Sequence, residues 1–453
     1  MYIPKVRKLE GQHPTFTEEE LKVYGETFAR ILRCATVSVK DQHDDTEFAK
    51  LRAVVEEDFP LLHKCAERRI LAEDCWMYKM PGKDESRNIL LMSHHDVVPA
   101  DDDWTMPAFD GIIKDGKVYG RGAADTKGSL CASLFGMEEM LRDGLTPPVN
   151  VYIVSSHNEE LGGNGMSATV EYCRENNITF EVILDEGGAI VEPPLPGMNC
   201  EMCAMVAVHE KGRLKLKCTA KNESSHVSLT AFKGNPVERM SQFIQQITTK
   251  NIFIRRINPQ TRAMFTTLAP YCKFPMNMLF SNLWLFGGIL LKVLPKMNAT
   301  AGGMVGTTCN FQEIHGSVNS KECTSYVMLR NNDAEDLKKD YAAFKAVADK
   351  YGITLETERD EYYAPADMAS PAYAYTMDCL QKVFPRFPAA PYILPAGTDA
   401  WRLTPVCNCV LRFAPTRMSK QQLGSIHSAD ENLDISAIGE AAAFYKYFAV
   451  NYQ

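Results

Sequence analysis

Asn88-Ile-Leu-Leu-Met-Ser-His94-His95-Asp96 is an aliphatic run that ends in two imidazoles and a carboxylate. Its length and composition predict a strand buried on both faces. Two further runs end in the same way. One is Val149-Asn-Val-Tyr-Ile-Val-Ser-Ser-His-Asn-Glu159-Glu160, and the other is Phe180-Glu-Val-Ile-Leu-Asp185-Glu186-Gly-Gly. In open parallel sheets ligands sit beyond the carboxyl ends of the strands. Three such runs therefore deliver metal-type side chains to one edge, the pattern of a binuclear metal centre.

Outward from these runs, residues 17–35 read as a capped amphipathic helix and 44–69 as a second helix. A loop through Trp104 and Phe109 leads to Gly120-Arg-Gly-Ala-Ala-Asp125-Thr-Lys-Gly, and helices are expected over 129–142 and near 167–175. Strands alternating with helices predict an α/β domain with a mostly parallel sheet. After about residue 205 the texture changes: Arg213-Leu-Lys-Leu-Lys alternates as a half-exposed antiparallel strand does. Helices over 236–248 and 334–351 and strands over 325–330 and 353–358 complete an α+β module. The expected organisation is a catalytic domain in two parts, 1–205 and 360–453, interrupted by an inserted module at 206–359.

A chain of 453 residues exceeds one ordinary core, which agrees with two domains. A net charge of -8 with no lysine/arginine-rich run argues against a nucleic-acid partner. The first ten residues lack the apolar core of a secretory signal, so the fourteen cysteines read as reduced thiols of a cytoplasmic protein. Cys200, Cys203, Cys407 and Cys409 have spacings that suit structural zinc, but the apolar run Val406–Phe413 favours buried thiols there. The most hydrophobic stretch, Phe274–Leu294, is interrupted by Pro275, Asn277, Ser281, Asn282 and Lys292. It reads as a helical hairpin or an interface rather than a membrane span, and no membrane partner is expected.

His94 and Asp96 share a face of an extended segment, so the carboxylate accepts the second imidazole N–H and fixes the metal-binding tautomer. His95 points the other way. Asp125 lies in a glycine-flanked turn before a helix; its bland reading is an N-cap, but one carboxylate has two oxygens and bridges two cations. Glu159 and Glu160 project differently, which lets one ligate metal while the other reaches a metal-bound water as a base. Asp185 ends the third strand, and His427 sits in Gly424-Ser-Ile-His-Ser-Ala-Asp-Glu431 before the last helix. Hard oxygen donors with two imidazoles suit zinc, manganese or cobalt.

At these residues the chain resembles the binuclear zinc exopeptidases: aminoacylases, glutamate carboxypeptidases and succinyl-diaminopimelate desuccinylase, with carboxypeptidase S and N-acyl-amino-acid hydrolases the nearest in look. The resemblance rests on Ser93-His-His-Asp-Val-Val-Pro99, Tyr119-Gly-Arg-Gly-Ala-Ala-Asp-Thr-Lys-Gly128, Glu159-Glu-Leu-Gly-Gly163, Leu184-Asp-Glu-Gly187, Gly397-Thr-Asp399 and Ile426-His427. It implies a three-layer αβα catalytic domain and a ferredoxin-like lid that also makes a homodimer. It implies two divalent ions, zinc first and cobalt or manganese otherwise. His94, Asp125 and Asp185 would hold one ion, and His427, Glu160 and the same Asp125 the other. Glu159 would be the general base, Asp96 the clamp behind His94, and His226 of the lid the group polarising the scissile carbonyl. Asn319, Arg330, Gly397 and Thr398 would border a small peptide or N-acyl amino acid with a free carboxylate. The chain departs from the family at Asn158, at His226-Val-Ser-Leu and at Asn319-Ser-Lys-Glu, so its substrate-gripping lid is altered more than its metal set. The expected activity is hydrolysis of an amide by metal-activated water. The rival readings are a non-catalytic, metal-stabilised assembly protein and a hydrolase of carbamoyl or other non-peptide amides.

Overall fold

In the computed structural model, which describes residues 1–40, 45–100, 103–222, 235–297, 299–317 and 321–453, the opening run is the end of the strand Asp84–His94. The strand enters from solvent and buries its last seven residues. Val149–Ser156 lies parallel on one side and Val182–Asp185 parallel on the other, and Val410–Arg412 continues the parallel set. Every residue of Val149–Ser156 is buried, which is why its sequence shows no polar alternation. His94 is paired with Ser156 and Leu91 with Leu184. The three carboxyl ends therefore finish nearly level, and the segments that follow them meet.

Around this parallel centre the sheet has ten strands. Cys75–Met80 and Glu67–Leu71 form one antiparallel margin. Cys203–Glu210 and Ile190–Val191 form the other, with Ala389–Leu394 and Arg417–Met418 added in parallel. The helix Gly128–Arg142 packs on Ile435–Val450, which also meets Glu18–Leu32 and Pro371–Val383. Gly165–Glu175 covers the Glu67–Cys75 margin. Phe28, Leu90, Leu134, Ile438 and Phe444 are fully buried in the shared core. This is the layered α/β architecture expected from the sequence.

Local chemistry sets the helix ends. Thr17 caps Glu18–Leu32 by accepting from the Glu20 N–H, and the Glu20 side chain returns to the Thr17 N–H. The single helix expected over 44–69 is instead two, Asp45–Asp58 and Pro60–Cys65, followed by the strand Glu67–Leu71. Pro60 is the cause: its ring drives Phe59 out of the helical region, to φ -123 and ψ 61.

A second, four-stranded antiparallel sheet runs in the order Thr308–His315, Glu322–Asn331, Gly212–Lys221, Ile353–Glu361. With the helices Pro236–Thr249 and Ala334–Lys350 it makes a β-α-β-β-α-β unit. Leu216, Phe243, Val327 and Phe344 are the centre of its own core. The apolar run Phe274–Leu294 forms the helices Met276–Ser281 and Leu283–Met297, separated at Asn282. Their core partners include Leu195, Cys203, Met205 and Ala390, so this insertion packs on the margin of the ten-stranded sheet. No helix among the described residues is long and apolar enough to cross a membrane. All fourteen cysteines are free, and among the described residues none joins a cluster with metal-ligand spacing.

Candidate active site

The level strand ends place His94, Glu159, Glu160 and Glu186 around Asp125. His94, the last strand residue, is buried, with Nδ1 lying 3.3 Å from Asp96 Oδ1 and 3.0 Å from the Asp96 carbonyl oxygen. Its other nitrogen, Nε2, lies 3.1 Å from Asp125 Oδ1 and 3.4 Å from Glu186 Oε1. The second histidine arrives from the far end of the chain: His427 Nε2 lies 3.1 Å from Asp125 Oδ2 and 3.2 Å from Glu160 Oε1. Each oxygen of Asp125 thus faces its own histidine–glutamate pair.

The Asp125 turn is held by a residue that sequence reasoning passed over. Glu431 is fully buried, and its carboxylate accepts from the N–H groups of Gly122, Ala124 and Asp125 and from the Arg121 guanidinium. Its signal in the sequence is weak, because its partners are backbone amides about three hundred residues earlier in the chain. Asp96 does similar work below Glu159 and Glu160. It accepts from both of their backbone N–H groups at 3.1 Å each, and from the Ser38 hydroxyl at 2.8 Å. The Glu-Glu turn is therefore fixed from beneath while its side chains stay free to act. His95 stacks on Trp76 with ring centroids 4.2 Å apart and takes no part in the cluster.

The structure brings Glu186, not Asp185, to His94 and Asp125. Asp185 is the last ladder residue of its strand, opposite Arg412, and its buried carboxyl meets the Thr398 side chain. Glu186 follows where the chain leaves the pleat, and its extra methylene gives it the reach. Gly188 permits the exit: a Cβ there would lie 2.4 Å from the carbonyl oxygens of both Arg412 and Met205.

The remaining sequence candidates divide. His226 and Asn319 lie outside the described residues. Gly397 and Thr398 line a cavity of about 440 Å³ together with Glu159, Glu160, Arg213, Glu361 and Asp399, and Arg330 stands behind it. Arg330 donates to the Ala396 carbonyl at 2.9 Å. Arg213, which sequence reasoning did not single out, is paired with Arg330 across adjacent strands. Its guanidinium lies so close to Gly397 that a Cβ there would meet it at 1.4 Å, so any larger residue at 397 would displace the arginine head. Two cations directly opposite each other repel, and the buried Glu210 between these strands and the Thr398 N–H supplies one countercharge. A larger recess of about 540 Å³, beside Arg33 and Phe109–Ile113, contains none of the candidate residues.

Electrostatics follow from the crowding. Burial pushes the Glu186 carboxyl well above the carboxylate range, against the pull of His94. Burial also raises Glu159 to about 8, with Asp399, Asp96 and Glu160 adding to the effect and His94 opposing it. Hydrogen bonds to Asp125 and Glu160 raise His427 to about 10. Burial acts against the charge on Asp125, but hydrogen bonds from His427 and His94 outweigh it and hold that carboxyl low. Crowding four carboxyl groups drives two of them to hold protons, and divalent cations in their midst would displace those protons. The donor set also passes a distance test. Tetrahedral zinc with bonds of about 2.0–2.2 Å holds its ligand atoms about 3.4 Å apart. The four imidazole–carboxylate separations here run from 3.1 to 3.4 Å.

Residues 90–451 match the family model of peptidase family M20/M25/M40. The probable carboxypeptidase S-like protein 2 of Dictyostelium discoideum is 30% identical over 99% of this chain and 89% of its own length. The N-fatty-acyl-amino acid synthase/hydrolase PM20D1 of Xenopus tropicalis is 27% identical over 94% of this chain and 85% of its own length. The crystal structure of the metallo-carboxypeptidase Sso-CP2 from Sulfolobus solfataricus superposes with a TM-score of 0.66 at 18% identity, covering 96% of this chain and 99% of the other.

Proposed function

The chain belongs to peptidase family M20/M25/M40 and is a metal-dependent hydrolase, and from that premise we propose that it cleaves the amide of a small peptide or N-acyl amino acid bearing a free carboxylate. The observation that carries this reading is Asp125, whose two oxygens each face a separate histidine–glutamate pair. His94, Asp125 and Glu186 would hold one ion, and Asp125, Glu160 and His427 the other. Zinc is the first choice and cobalt or manganese the alternatives. When bound, such ions polarise the scissile carbonyl and lower the pKa of water to about 7.

The protein's own groups supply the rest. Glu159 lines the cavity beside Glu160 without joining either ligand set, which leaves its carboxylate to accept a proton from water and hand it to the departing amine. Asp96 keeps Glu159 and Glu160 on opposite tasks by fixing both of their backbones. Arg213 lines the cavity, where its guanidinium can grip a substrate carboxylate by a bidentate pair of bonds, and Arg330 on the paired strand adds positive charge behind it. His226 and Asn319 are the proposed lid contributions to the carbonyl and the carboxylate. The cavity is lined by strands of the smaller sheet and by loops beyond the larger one, which supports 206–359 as a lid and dimerisation module closing on 1–205 and 360–453. The fourteen free thiols support a reducing, cytoplasmic setting.

The test is a panel of dipeptides and N-acyl amino acids, each with its C-terminal amide counterpart, assayed after reloading with zinc, cobalt or manganese. Hydrolysis is expected for carboxylates and not for their amides. Glu159→Gln should lose 10²–10⁴-fold in kcat while keeping its metal. Retained turnover in that variant overturns the assignment of the base.

A further inference from the structure

The helix Leu283–Met297 is apolar nearly all round, yet only half of it is covered. Leu283, Gly287, Leu290 and Leu294 face the core. On the opposite side Trp284, Leu285, Ile289, Val293 and Met297 are exposed, Trp284 at 74%. Such a helix is normally buried on all sides, so the open stripe calls for a partner. The patch extends beyond this helix. Phe274 is 67% exposed just before Met276–Ser281. The first residues pack alongside: the Tyr2 N–H donates to the Asn282 side chain, Asn277 donates to the Pro4 carbonyl, and the Arg7 N–H donates to the Pro270 carbonyl. Met1, Tyr2, Ile3 and Val6 are exposed there.

Charge identifies the partner. The chain carries a net charge of -8, yet residues 251–312 contain six lysines and arginines and no aspartate or glutamate. Lys273, Lys292 and Lys296 are exposed along the apolar stripe, and Lys5, Arg7 and Lys8 are exposed on the arm beside it. A second copy of the chain is disfavoured as the occupant. A two-fold interface sets like patches together, and this one would oppose lysine to lysine. An anionic bilayer surface satisfies both features: headgroups meet the cations, and the aliphatic and indole side chains enter the headgroup–acyl boundary.

We propose that the exposed face of Leu283–Met297, with the N-terminal arm beside it, is a peripheral docking surface for membranes rich in anionic phospholipid. The interrupted apolar run cannot span a bilayer; it lies along one. This surface is independent of which amide the enzyme cleaves.

The experiment is sedimentation of the full chain with vesicles of phosphatidylcholine alone or with phosphatidylserine. Binding to the anionic vesicles is expected, falling with added salt. Each lysine near such a surface contributes about five-fold, so Lys292→Glu/Lys296→Glu should weaken binding by at least ~25-fold. Ile289→Glu/Val293→Glu should abolish it with the melting temperature unchanged, since both side chains face solvent. The proposal is overturned if the parent ignores anionic vesicles, or if Ile289→Glu/Val293→Glu binds them as the parent does. It is also overturned if light scattering shows a parent dimer that this substitution pair splits while vesicle binding is absent. That last outcome would assign the face to a second copy.

Discussion

At the scale of single residues, the site turns on which of two adjacent acids leaves the sheet facing the cluster. Side chains alternate within a strand, but the alternation stops where the ladder stops, and sequence does not mark that point to the residue. Reading Asp185 as the ligand places the ladder's end one residue early. The structure ends the ladder at Asp185 and gives Glu186 to His94. Asp185→Asn is therefore expected to keep its full complement of zinc. Glu186→Gln should lose one of the two ions under dialysis that the parent withstands, as read by elemental analysis. Equal losses in both would return the assignment to Asp185. His94, Asp96, Asp125, Glu159, Glu160 and His427 were legible because each sits at a strand end or glycine-rich turn with a chemical neighbour in sequence. Glu431 and Arg213 were not. One satisfies backbone amides far away in the chain, and the other gains meaning only from the strand paired beside it.

At the scale of elements, the long helices and the long buried strands could be read from pattern and caps, and failure came where a proline cut a helical pattern at Phe59. The short strands Val182–Asp185, Ile190–Val191 and Val410–Arg412 hold too few residues to show a period, so the sheet's order could not be read from them. The join between the two sheets carries a testable cost. Cys203–Glu210 belongs to one sheet and Gly212–Lys221 to the other, and Lys211 between them is buried, donating to the Gly306 carbonyl at 3.3 Å. Burial, with the charge of Arg330, lowers its pKa to about 7 from an ordinary 10.5. Below pH 7 the folded chain must bury an ammonium. Between about 7 and 10.5 the unfolded chain binds the extra proton, so this residue's contribution to stability rises with pH. Lys211→Met should melt above the parent at pH 6, with the difference shrinking by pH 9. A difference that does not vary with pH would show that Lys211 keeps its ordinary pKa in the fold.

At the scale of the whole molecule, the proposed ligand sets join the ends of three central strands, the turn before Gly128–Arg142 and the loop before Ile435–Val450. Ions held there would bind the folded chain and not the unfolded one. At a thousandfold excess over its Kd, one such ion stabilises by ~4 kcal/mol. Chelator-stripped protein should melt several degrees lower, and zinc should restore the loss; an unchanged melting curve would mean the donors do not grip ions in the folded state. The fold class was visible in the alternation of strands with helices, and the change of texture near residue 205 marks where the second, antiparallel sheet begins. The packing of the insertion on the larger sheet, through Pro259–Leu268, was not visible, because hydrophobicity says that a helix is covered and never by what. The place of Asp125 in both proposed donor sets has a bearing on the order of biosynthesis. A nascent polypeptide that has emerged past Glu186 already carries the trio that would hold the first ion, while the trio for the second waits until His427 leaves the ribosome.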